Sequence, residues 1–86
     1  MEADFDELQR QSQENLITFL RTDAKLASTF CKIAESTQDP DHRARLMKGV
    51  RTVVNAIRHF GERITDPTTR AELNAEADRL EGFLAN

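Results

Sequence analysis

From Leu46 to Ile64 the apolar residues Leu46, Val50, Val53, Ile57, Phe60 and Ile64 recur at alternating steps of four and three. That spacing gathers all six on one face of a helix. Met47 and Val54 widen the face by one column, which suits a helix touching two neighbours. The pattern predicts a middle helix over about 40–64. Upstream, Phe5, Leu8, Leu16, Phe19, Leu20, Leu26, Ala27, Phe30, Ile33 and Ala34 follow the same period, with one weaker stretch from Gln9 to Asn15. Neither glycine nor proline occurs in that region. The prediction is one unbroken helix over about 4–36, roughly 50 Å long at ~1.5 Å per residue. The competing reading places a break at Thr22-Asp23, either of which could cap a new helix.

Two prolines punctuate the chain, and each follows an aspartate: Asp39-Pro40 and Asp66-Pro67. An aspartate caps free backbone N–H groups, and proline suits the first helical position because its missing N–H has no partner there. These pairs predict helix starts at Pro40 and Pro67, the second helix running to about residue 85. Residues 39–46 and 66–73 share Asp, Pro, Arg, Ala and Leu at an offset of 27. Two copies are too few for a repeat array, so the match is read as similar helix starts using similar chemistry.

The links are too short for anything but antiparallel neighbours. The fold class is therefore all-α, an antiparallel three-helix bundle with an unusually long first helix. Its expected core is Leu16, Phe19, Leu20, Phe30, Leu46, Val50, Val53, Ile57, Phe60, Leu73, Leu80 and Leu84. Antiparallel pairing sets Leu16 opposite Gly61 and Phe30 opposite Met47. Residues before about Gln13 then overhang the end of the middle helix, and Phe5 and Leu8 project with nothing to cover them. Large apolar side chains are seldom left bare on an isolated helix end. Phe5 and Leu8 are accordingly the candidate oligomer contact, with a symmetric dimer the favoured assembly.

Composition narrows the picture. At 86 residues the chain is read as one domain with a thin core. It contains a single cysteine, Cys31, so no intrachain disulfide can form. The absence of paired cysteines and an acidic N-terminal stretch unlike a secretory leader point to the cytoplasm. No apolar run approaches a membrane span. Charge is sorted by segment: four basic and seven acidic residues in 1–38, six and three in 39–65, two and five in 66–86. A basic middle helix between two acidic ones favours antiparallel pairing. The other reading is a nucleic-acid contact through Arg45, Lys48, Arg51, Arg58, His59 and Arg63. The net charge of −3 argues against it.

Asp23 looks misplaced, with Phe19, Leu20, Leu26, Ala27 and Phe30 around it at helical spacing. A buried carboxylate is costly unless paired. Arg51, Asn55 and Arg58 are its candidate partners, and together these four form the candidate buried polar pair. His42 and His59 are too far apart on one helix to share a metal, and no Glu-x-x-His, Cys-x-x-Cys, Gly-x-Ser-x-Gly or glycine-rich phosphate loop occurs. Arg45-Leu46-Met47-Lys48-Gly49 resembles the His-x-x-Lys-Gly core of histidine phosphotransfer domains, over five residues only. Arginine stands where the phosphoryl-accepting histidine belongs and cannot act as a neutral nucleophile, so the assignment is rejected. No catalytic, cofactor or metal set is visible. The function expected is protein–protein contact, as an oligomer or adaptor; the alternative is a nucleic-acid-binding module using the basic face of the middle helix.

Overall fold

The helix starts are built as the two Asp-Pro pairs require. Asp39 is extended (φ −82, ψ 112) and its carboxylate accepts the N–H of Asp41 at 3.0 Å. The Asp66 carboxylate accepts both the N–H of Thr69, at 3.1 Å, and the Thr69 hydroxyl. Each aspartate thereby satisfies a donor that the first turn leaves free. The result, seen in a computed structural model that describes the backbone of residues 2–85 and the side chains of residues 4–85, is three helices: α1 (Glu2–Ser36), α2 (Pro40–Gly61) and α3 (Pro67–Ala85). All three pack against one another, up-down-up, and α1 runs unbroken through Thr22 and Asp23.

The middle helix ends earlier than its apolar period suggests. It stops at Gly61, and a tight turn follows, in which Arg63 N–H donates to the Phe60 carbonyl (3.0 Å) and Ile64 N–H to the Gly61 carbonyl (3.1 Å). Ile64 is nevertheless almost fully buried. It re-enters the core from the turn, which is why it keeps the helical rhythm without being helical.

The core is also composed differently from expectation. Leu20, Leu46, Val50, Val53, Ile57, Leu73 and Leu80 are buried as anticipated, and Leu16, Phe30, Phe60 and Leu84 are partly buried against them. Phe19 is not in the core: it is 47% exposed. What α1 turns inward, besides Leu20, is a row of small residues, Ala24, Ala27, Cys31 and Ala34. Small side chains let α1 lie close to its neighbours, and the bulkier Phe19, Leu26 and Ile33 are displaced to its flank. Val54 and Ala77, from the columns facing the other two helices, complete the interior.

The register of α1 against α2 is fixed at three levels. The Phe30 ring lies over Gly49, where an added Cβ would sit 3.0 Å from the ring. This is two residues from the expected partner, Met47. The rings of Phe19 and Phe60 meet edge to face at 6.5 Å. Finally, Gln13 reaches the turn after α2, donating to the Arg63 carbonyl at 2.8 Å and accepting the Thr65 N–H at 3.1 Å. The molecule measures 57 × 18 × 16 Å, and α1, about 52 Å long at ~1.5 Å per residue, accounts for nearly all of the long axis. No helix among the described residues is long and apolar enough to cross a membrane.

Candidate functional site

Gln13 marks where α1 leaves the bundle. Every side chain from Asp4 to Ser12 is exposed, including Phe5 at 62% and Leu8 at 64%. The overhang inferred from helix lengths is therefore present, and its two large apolar side chains lie uncovered on it. Its only ion pair among the described residues is internal, Arg10 to Glu7 at 3.0 Å. Exposed pairs at this spacing contribute a few tenths of a kcal/mol at most.

The uncovered apolar surface continues along the bundle. Phe19, Leu26 and Ile33, at 47%, 48% and 39% exposure, complete the exposed large apolar residues among the described residues. All five belong to α1. The Phe19–Phe60 and Phe30–Gly49 contacts place this surface on the side of α1 that adjoins α2. The opposite side of α1 faces α3 through polar contacts: Arg21 to Glu72 at 3.3 Å, and Arg79, which bonds the Ser28 hydroxyl at 2.6 Å and Glu76 at 2.7 Å. Sequence reasoning took Phe19 and Phe30 together as inward-facing. The signal that separates them is the row of small residues one column away, which marks the side of closest helix approach.

The candidate polar pair does not form. Asp23 is half-buried and, among the described residues, makes no ion pair or side-chain hydrogen bond. Arg51 and Asn55 are exposed. Arg58 turns the other way, to α3, where it meets Asp78 and, at 3.0 Å, Glu81. The hydrogen bonds it donates to Asp78 and then Glu81 hold its guanidinium above its ordinary pKa. The reason lies in the helix column. Arg58 shares a column with Val54 and Met47, the one facing the second neighbour, whereas Asp23 shares its column of α1 with Phe30, which lies over Gly49 on the other side of α2 from Arg58. Partial exposure spares the Asp23 carboxylate the desolvation that would demand a partner.

The remaining candidates are structural in their surroundings. Cys31 is buried among the small residues of α1, and burial pushes its thiol up from the ordinary value, away from the reactive thiolate. His59 lies exposed at the edge of the Phe60 ring, and Arg63 stacks over the same ring at 5.5 Å. An open cleft of about 550 Å³ lies between α1 and α3, and four of its five rim charges, Arg21 with Glu72 and Arg79 with Glu76, already pair with each other, Lys25 being the fifth. Among the described residues no buried side-chain polar atom lacks a partner and no three potential metal ligands cluster. Comparison with known proteins finds no matching family model, no curated relative and no matching solved structure.

Proposed function

We propose that this chain is a small helical module that acts by protein–protein contact, with self-association to a dimer as the first form of that contact and the cytoplasm as its setting. The observation that carries this reading is the placement on α1 of every exposed large apolar side chain among the described residues, two of them on the overhanging helix end. Burying a Phe or Leu side chain contributes roughly 1.5–3 kcal/mol. Five such groups on one helix are a substantial driving force for docking. Size-exclusion chromatography with light scattering is expected to give a mass of at least two chains at micromolar concentration. Deletion of residues 2–12 is expected to shift the protein toward the single-chain mass. A full-length chain that stays monomeric throughout would refute self-association.

A second reading rests on the cations of α2 and its following turn. Arg45, Lys48, Arg51 and Arg63 have no acidic partner among the described residues. They would suit a nucleic-acid backbone, and binding to duplex DNA or RNA that weakens steeply with salt would support that reading. No binding at low salt would exclude it. The acidic overhang and the commitment of Arg58 to α3 weigh against it.

A further inference from the structure

The exposed apolar residues of α1 follow a rule. Phe5, Phe19, Leu26 and Ile33 lie on a single seven-residue repeat whose only polar member is Ser12, itself exposed; Leu8 lies three residues after Phe5, beside that row. A seven-residue apolar repeat drifts by only about 20° per heptad on an α-helix, and a gentle left-handed supercoil keeps it turned toward a partner helix. Leu20, Ala24, Ala27, Cys31 and Ala34 are already buried within the chain, so the repeat is a second seam on the same helix.

The seam is symmetric about its own midpoint. Phe5 and Ile33 are equidistant from Phe19, as are Ser12 and Leu26. We propose that two copies of this chain pair antiparallel along α1, with the two-fold axis at Phe19, so that residues 4–12 of each lie on the partner's α1–α2 flank between Leu26 and Ile33. This rests on the self-association reading and specifies its geometry. A two-fold axis there sets Phe5 against the partner's Ile33 and Phe19 against the partner's Phe19. The seam runs about 42 Å at ~1.5 Å per residue, long enough for a stable helix-pair interface.

Charge selects the direction. The overhang carries Asp4, Asp6 and Glu7, all exposed. A parallel pair would bring these together with their copies, like charge against like. The antiparallel pair brings them to the other end of the bundle. There the Phe30–Gly49 contact shows that the first half of α2, with exposed Arg45 and Lys48, runs beside the Phe30–Ile33 stretch. The acidic overhang therefore meets cations that have no acidic partner of their own among the described residues. One arrangement covers Phe5 and Leu8, covers Leu26 and Ile33, and matches the charges.

Disulfide trapping tests this. In a Cys31→Ser background, the Phe19→Cys chain is expected to link to its own copy under mild oxidation. Phe5→Cys and Ile33→Cys chains are expected to link about tenfold or more faster when mixed than either does alone, because the pairing raises their effective concentration. The substituted positions are exposed, and circular dichroism checks that each variant keeps its helix content. Arg45→Glu with Lys48→Glu is expected to raise the dimer dissociation constant about tenfold, an effect that a parallel pair would not show. A dimer in which Phe5→Cys links readily to itself overturns the antiparallel arrangement and leaves self-association standing. So does a dimer by light scattering in which no variant links faster than the background. A chain that is monomeric by light scattering overturns both.

Discussion

At the scale of single residues, two glycines in helices with different surroundings should respond oppositely to the same change. Gly82 has nothing within 4 Å of the place a Cβ would occupy, whereas at Gly49 that place is 3.0 and 3.1 Å from two atoms of the Phe30 ring. Replacing a helical glycine by alanine stabilises by about 0.5–1 kcal/mol when nothing is displaced. Gly82→Ala is expected to gain close to this in urea denaturation. Gly49→Ala must move the Phe30 ring and is expected to gain little or to lose, although its mid-helix position should otherwise make it the better site. Equal gains at both would mean that the Phe30 contact does not fix the α1–α2 register. Asp66 offers a test by pH. The hydroxyl and N–H of Thr69 donate to its carboxylate and hold it below its ordinary value of 3.8. A depressed folded-state value gives stability that is present above the unfolded value and lost as pH falls through the folded one. The stability difference between the wild-type chain and Asp66→Ala should thus be constant near neutrality and shrink once the pH drops below the ordinary carboxylate value. A difference that grows in acid would contradict the cap.

At the scale of elements, Gln13 decides where α1 stops being part of the bundle. Its amide bridges the Arg63 carbonyl and the Thr65 N–H, joining α1 to the α2–α3 turn. Gln13→Ala is expected to cost about 1 kcal/mol for the lost bonds and to speed hydrogen exchange at the Thr65 amide, while leaving exchange at Val50 and Ile57 governed by global unfolding. Unchanged exchange at Thr65 would show that the turn holds itself. Much of this architecture was legible beforehand. The Asp-Pro starts, the unbroken α1 and the overhang follow from local chemistry and helix length, which a sequence displays directly. The end of α2 was obscured because Ile64 keeps the period of the helix it has left. The position of Phe19 was obscured because size and hydrophobicity do not say which side of a helix its neighbours approach; Ala24, Ala27 and Ala34 say so, but only once close packing is considered. The Asp23 pairing failed for a related reason. Its proposed partner Arg58 lies in the same column as Val54, and that column belongs to α3.

At the scale of the whole molecule, the charge sorting that looked like a property of three helices has two distinct outlets. Arg58 joins α2 to α3 through Asp78 and Glu81, an exposed cluster whose pairs each contribute no more than about 1 kcal/mol. Arg45 and Lys48 are left over, at the end of the molecule opposite the acidic overhang. The bundle is thus uneven in charge along its long axis and uneven in apolar exposure around it, and both asymmetries fall on α1 and its α2 flank. The overhang also makes secondary structure itself a readout of assembly. A free helical segment of about ten residues is marginal in water, because its few hydrogen bonds barely offset the cost of ordering it. The side chains from Asp4 to Ser12 are all exposed, so the helicity of this segment in dilute solution has little to hold it. Helix content should therefore rise with protein concentration, by up to about ten residues per chain, over the same range in which mass doubles. Ellipticity per residue that stays flat across that range would mean the segment is held, or left unheld, by the single chain alone. In this protein a helix end that contributes nothing to the stability of its own bundle would register, residue by residue, whether a second chain is present.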